Sequence, residues 1–300
     1  QAGLTLYSAG DINLDQVNVT DSQSGAYLYA GGDVVVKNSN FKDNQSGEND
    51  GYGLKVKSGG AATLDNVNAS LNQAFGADVA AGGPVTINQS VFSGNVSYQY
   101  GIATGGYGLN VVSQGAVTAD GVTASENYYF GAHLEGVNVS LANGTFNSNG
   151  SGNVESPIGK GLEVVSTGTV TLSSITANNN QVFGASVDAV GNVSVTNSFF
   201  NSNQGYYYLN GWIYEGYGLQ VVTDANITLD GVTANDNYLY GARLEGAVID
   251  VSNSVFSENN SDWHEHSTGF GLQVVGTGDV TLTNVTANDN QRWGADITTD

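Results

Sequence analysis

The sequence has no cysteine, no methionine, two prolines, and only seven basic residues against 28 acidic ones. Without cysteine no disulfide contributes to stability, which suits an extracellular bacterial or archaeal protein and equally a cytosolic one. The shortage of Lys and Arg leaves a net charge of −21. Such a surface repels phosphate backbones and anionic lipid, so neither nucleic acid nor a membrane is expected as a partner. No apolar run approaches the roughly 18 residues needed to cross a bilayer as a helix, and no basic segment followed by an apolar one opens the chain. Charged residues make up 12% of the chain, a level that permits disorder, but 40% hydrophobic residues supply ample surface to bury. Gly, Asn, Ser and Thr provide turns, and Val, Ile, Thr and Tyr provide strands. The composition is all-β.

A repeat runs through the chain. The dipeptide Gly-Leu begins at Gly3, Gly53, Gly108, Gly161, Gly218 and Gly271, and Gly-Ala begins between them at Gly25, Gly76, Gly131, Gly184, Gly241 and Gly294. Gly-Leu to Gly-Ala is 23 residues in every case but the first, where it is 22, whereas Gly-Ala to the next Gly-Leu varies from 28 to 34. One coil therefore has a fixed length and the other carries an insertion of changing size. Within a coil the pattern has period two: Leu219, Val221, Ile227, Leu229, Val232 and Ala234 point one way, and Gln220, Thr228 and Thr233 the other. A coil of this length cannot bury its own apolar face, and stacking coils at the strand spacing of about 4.8 Å makes continuous parallel sheets.

Two further regularities set the register. Asn recurs three residues after the last inward position of each coil, at Asn44, Asn72, Asn95, Asn127, Asn149, Asn180, Asn203, Asn237, Asn259 and Asn290, with Ser22 as the exception. Buried at a tight turn, these amides are expected to bond local backbone and their own copies above and below, a structural role. The last inward position is small in one coil type (Val19, Ala69, Ala124, Ala177, Ala234, Ala287) and Phe in the other (Phe41, Phe92, Phe146, Phe200, Phe256). After the phased glycine the order reverses, Leu against Ala. Alternating large and small side chains fill a stacked interior without voids, so the unit is a pair of coils. In coil length, Asn ladder and glycine-led strand starts, the whole chain resembles the right-handed parallel β-helix of the pectin-lyase-like superfamily. That resemblance implies a right-handed parallel solenoid. It extends to polysaccharide lyases and hydrolases, phage tailspikes, and repeat regions of large bacterial or archaeal surface proteins.

Lyase chemistry in such a family implies a basic side chain beside a uronate, with Ca²⁺ on nearby carboxylates; the hydrolases resemble one another in an Asp-Asp pair and a Gly-His-Gly. Here the basic residues are Lys37, Lys42, Lys55, Lys57, Lys160, Arg243 and Arg292, no two aspartates are adjacent, and His133, His264 and His266 stand outside any such motif. The expectation is no catalysis and no catalytic residue. His264 and His266 flank Glu265 without a spaced third ligand, so no metal site is expected. No cofactor is expected either, Ca²⁺ on the acidic columns being the one metal left open. Outward Thr63, Thr86, Thr118, Thr171, Thr228 and Thr281 are interrupted by Val35, Ser140, Ser194 and Asp250, which spoils an ice-binding array.

The insertions follow the Asn ladder at one corner: Gln45–Tyr52, Val96–Tyr107, Gly150–Lys160, Gln204–Tyr217 and Asn260–Phe270. They hold Tyr98, Tyr100, Tyr206, Tyr207, Tyr208, Trp212, Tyr214 and Trp263, the candidate contacts for a glycan or a protein partner. Phe75, Phe130, Phe183, Tyr240 and Trp293 precede Gly-Ala in strict phase and are expected to stack at a core corner. No polar cap stands at either end of the sequence, so residues 1–300 read as a single uncapped segment of a longer array that continues or self-associates. The expected role is a structural or adhesive segment of an extracellular, cell-surface fibre or sheath. A glycan-binding adhesin or tailspike-like module using the aromatic insertions is the alternative, and a polysaccharide lyase or hydrolase a third reading.

Overall fold

Alternating β-branched and polar residues give strands of three to nine residues, and phased glycines let one coil lie directly on the next. The computed structural model describes residues 2–46, 51–99, 102–150, 158–205, 216–260 and 269–299. It contains strands, turns and bends, and among the described residues no helix is long and apolar enough to cross a membrane. The chain forms two compact units, Gln1–Thr145 and Phe146–Asp300.

In the first unit a front sheet runs through Ala2–Ser8, Ser24–Ala30, Leu54–Ser58, Phe75–Ala81, Tyr107–Ser113 and Phe130–Gly136. All its pairings are parallel. A back sheet runs through Ile12–Asp15, Val34–Lys42, Ala62–Asn68, Val85–Asn88, Val117–Asp120 and Val139–Ala142, also in parallel. Beyond the paired Asn18–Thr20, Val34–Lys42 and Ala62–Asn68, the third side is reduced to single bridges such as Val91 to Thr123. The second unit repeats the plan. Its front strands are Lys160–Ser166, Phe183–Ala189, Tyr217–Thr223, Tyr240–Gly246, Phe270–Gly276 and Trp293–Thr299, and its back strands are Val170–Ser173, Val193–Thr196, Ile227–Asp230, Ile249–Ser252 and Val280–Thr283.

The interior follows the size alternation. Leu54 lies in register with Ala26 and Ala77, and Leu109 with Ala77 and Ala132. In the second unit Leu219 sits between Ala185 and Ala242. Phe41, Phe92, Phe200 and Phe256 are fully buried, as are Ala69, Ala177 and Ala234. Close approach explains the phased glycine: a methyl group on Gly76 would meet the Gly108 carbonyl oxygen at 2.5 Å and the Asn95 amide nitrogen at 2.8 Å.

Each ladder Asn follows a residue in the left-handed conformation, among them Asp43, Leu71, Glu126, Asn179 and Asp236. That residue turns the chain through the corner and aims the next side chain inward. In the first unit the Asn44 backbone N–H and Nδ2 both donate to Asn72 Oδ1, at 3.1 and 3.0 Å. Asn72 does the same to Asn95, and Asn95 to Asn127. In the second unit the row runs Asn149, Asn180, Asn203, Asn237, Asn259 and Asn290 with the same two bonds per step. All but Asn290, which is partly buried, lie out of contact with solvent.

Candidate functional site

Strand alternation sends the side chains two and four residues after each phased glycine out of the front sheet. In the first unit this makes two rows across successive coils. One is Thr5, Tyr27, Lys55, Asp78, Asn110 and His133; the other is Tyr7, Tyr29, Lys57, Ala80, Val112 and Glu135. Neighbours within a row stand one strand spacing apart, about 4.8 Å.

The rows join into a single surface. Tyr7 packs edge-on against Tyr27, with ring centres 5.8 Å apart, and at 6.0 Å against Tyr29. Lys57 Nζ lies over the Tyr29 ring at 5.4 Å. Lys55 Nζ is 3.8 Å from Asp78, whose Oδ1 accepts a 2.9 Å bond from Asn110 Nδ2. His133 is 3.9 Å from Glu135 and meets Phe130 edge-on. Because Ala80 is small and stands between Lys57 and Val112, the surface dips there into a hollow of about 400 Å³, floored by Gly59, Ala81 and Gly82. Tyr7 is 71% exposed and Tyr29 40%, so both present ring area to solvent.

An aromatic stack borders the rows. Tyr52, Phe75, Tyr107 and Phe130 lie face to face at 5.3, 5.0 and 4.9 Å. Burial, helped by the nearby Asp78 carboxylate, holds the Tyr107 hydroxyl well above the usual phenol range. The second unit repeats the stack with Tyr217, Tyr240 and Phe270, ending edge-on at Trp293. Burial likewise raises the Tyr240 phenol. Phe183 is buried in a small cluster with Val182, Tyr217 and Leu239.

Of the residues singled out at the insertion corner, Tyr98 lies on Ser97–Gln99, which pairs antiparallel with Ile102–Gly105. Tyr100, Tyr206, Tyr207, Tyr208, Trp212, Tyr214, Trp263, His264 and His266 lie outside the described residues. A second hollow of about 400 Å³ opens at this corner between Asp43, Gln45, Leu71, Gln73 and Val96. Among the described residues, no three of His, Cys, Asp and Glu are grouped so as to hold a metal ion. The front-face rows were missed in the sequence because their members are more than 20 residues apart. The signal was present in the phase, two and four positions after each Gly-Leu or Gly-Ala.

The fold makes this chain a right-handed parallel β-helix protein: residues 2–150 match the family model described as right handed beta helix region. No curated protein sequence matches it. Among solved structures, the A-module of the Azotobacter vinelandii mannuronan C-5 epimerase AlgE4 is similar over 98% of this chain and 88% of its own, with 13% identity and a TM-score of 0.54. The AlgE6 A-module from the same organism is equally similar in identity and TM-score, over 99% and 89%. The periplasmic alginate epimerase AlgG matches over 92% and 73%, with 13% identity and a TM-score of 0.50. At this identity the likeness is one of fold. It nonetheless corrects the expectation of no catalysis, because solved chains of the same build are epimerases. The physical reason is that a β-helix gathers reacting groups from successive coils, so no contiguous motif need appear in the sequence.

Proposed function

We propose that this chain is the glycan-engaging β-helix segment of a secreted or surface-exposed protein, with an extended polysaccharide lying across the coils on the front face of the first unit. The observation that carries this reading is the in-register surface of Tyr7, Tyr27 and Tyr29 beside Lys57, followed by the bonded pair Asp78 and Asn110. Aromatic faces take the C–H faces of sugar rings, and planar carboxylates and amides take their hydroxyls. Rows rather than a closed pocket suit a polymer. The names of the solved relatives, mannuronan and alginate epimerases, support a polysaccharide as the ligand without fixing its charge. In this reading the repeat itself serves as the stalk that displays the face, and continuation of the array or self-association remains part of the proposal.

A second reading, polysaccharide modification, is favoured by one feature: Lys55, Asp78 and His133 stand in one row, so groups able to take and give protons face the same polymer. Affinity electrophoresis of the full chain through polysaccharide gels tests the main proposal. The double variant Tyr27→Ala/Tyr29→Ala should weaken retention by about tenfold, the worth of roughly 1.4 kcal/mol, with an unchanged circular dichroism spectrum. Unaltered retention in that variant sinks the front-face assignment.

A further inference from the structure

We infer that the polysaccharide taken by these front faces is uncharged, and that polyuronates are refused. The inference rests on the glycan-binding reading above. Its basis is that six of the chain's seven basic residues are already engaged by the protein, and that these include every cation in the front-face rows. The seventh, Lys37, is exposed on the back sheet, in register between Asp15 and Asp65 and away from the front-face rows. Lys42 lies 4.0 Å from Asp43, and Lys55 lies 3.8 Å from Asp78. Lys57 covers the Tyr29 ring, and Lys160 bonds Glu163 at 2.9 Å while covering Phe183. Arg243 is clasped by Glu245, and Arg292 lies over the rings of Phe270 and Trp293. In the front-face rows Lys55, Lys57 and Arg243 are each shared with a carboxylate or a ring, so neither face offers an unshared cation, the feature that reads a carboxylate on a sugar.

The charges of the faces agree. In the first unit the two rows carry Lys55 and Lys57 against Asp78 and Glu135, two formal charges of each sign. In the second unit the equivalent rows are Glu163, Ser186, Gln220, Arg243, Gln273 and Asp296, and Val165, Asp188, Val222, Glu245, Val275 and Thr298. There Arg243 stands against four carboxylates, and the Gln273 amide is spent on Asp296 at 3.3 Å. A polyanion reaching either face also meets the field of a molecule with net charge −21, a repulsion felt within the Debye length of about 8 Å at physiological salt and largely screened beyond it. What both faces offer is ring and aliphatic surface (Tyr7, Tyr29, Val222, Val275) set among acceptors for hydroxyl groups. In the second unit Val165, Val222 and Val275 recur on every other coil, roughly 10 Å apart by the strand spacing. A flat disaccharide repeat advances by a similar length.

The test runs the full chain through native gels containing sodium alginate, or one of three neutral polymers: glucomannan, galactomannan and mixed-linkage β-glucan. Both low and physiological salt are used. Retention by at least one neutral polymer, insensitive to salt and at least about tenfold stronger than by alginate, is the expected result. Alginate retention equal to or stronger than neutral retention overturns the inference and leaves the glycan-binding reading standing. No retention by any of the four counts against both.

Discussion

At the scale of single residues, the buried amide row carries the largest concentration of risk. Asn180 Oδ1 accepts from the Asn149 backbone and side chain at 3.0 and 2.9 Å, and its own N–H and Nδ2 donate to Asn203 at 3.0 and 3.1 Å. Asn180→Leu leaves two donors of Asn149 and one acceptor of Asn203 short of partners inside a corner that water does not reach. The expected cost is about 1–3 kcal/mol, with more if Leu also clashes, read as a lower urea midpoint at unchanged slope. A midpoint equal to that of a surface Thr118→Ala control would mean the row does not hold the corner. The period and phase of these asparagines are visible as spacing in the sequence. The left-handed residue before each is not, because Asp, Leu, Gly, Glu, Ser and Asn all occupy that place. Backbone geometry there is imposed by the stack rather than by side-chain preference. The front-face rows lie between these cases, since Tyr27, Lys55, Asp78 and His133 look unrelated until the phased glycines are aligned.

At the scale of strands and coils, Phe and Ala exchange places from one coil to the next, so each Phe fills the space its small neighbours leave. Phe200 is fully buried, with Ala177 and Ala234 at the same inward position on adjoining coils. Phe200→Ala should therefore cost about 3–5 kcal/mol, measured by thermal or chemical melts. A compensating Ala234→Leu should recover part of the loss. A loss below about 1 kcal/mol would place Phe200 outside the packed interior. The all-β solenoid of paired coils was legible because both periods, two within a strand and roughly 23 or 28 to 34 between coils, are carried by apolar and glycine positions that packing cannot relax. The reduction of the third side to single bridges was not legible, since one bridge leaves no alternating pattern. Nor was the hairpin of Ser97–Gln99 and Ile102–Gly105, whose residues recur in no other coil.

At the scale of the whole molecule, 28 acidic residues against seven basic ones make self-repulsion a standing cost of the compact state. Moderate salt should raise the melting temperature, because screening relieves like-charge repulsion more than it weakens the few ion pairs. Differential scanning calorimetry from low to physiological sodium chloride checks this, and a falling melting temperature would mean that attractive pairs dominate instead. The asparagine row has a consequence of another kind. Within each unit every step runs the same way, two donors of one coil meeting the single oxygen of the next, so the carboxamide dipoles add rather than cancel. The coils are thus laid like roof tiles. A pair of coils lifted from one place and set down at another in the same sense again meets oxygen with hydrogen, whereas a pair turned end for end sets oxygen against oxygen. Duplication of coils is open to such a chain; inversion is closed to it.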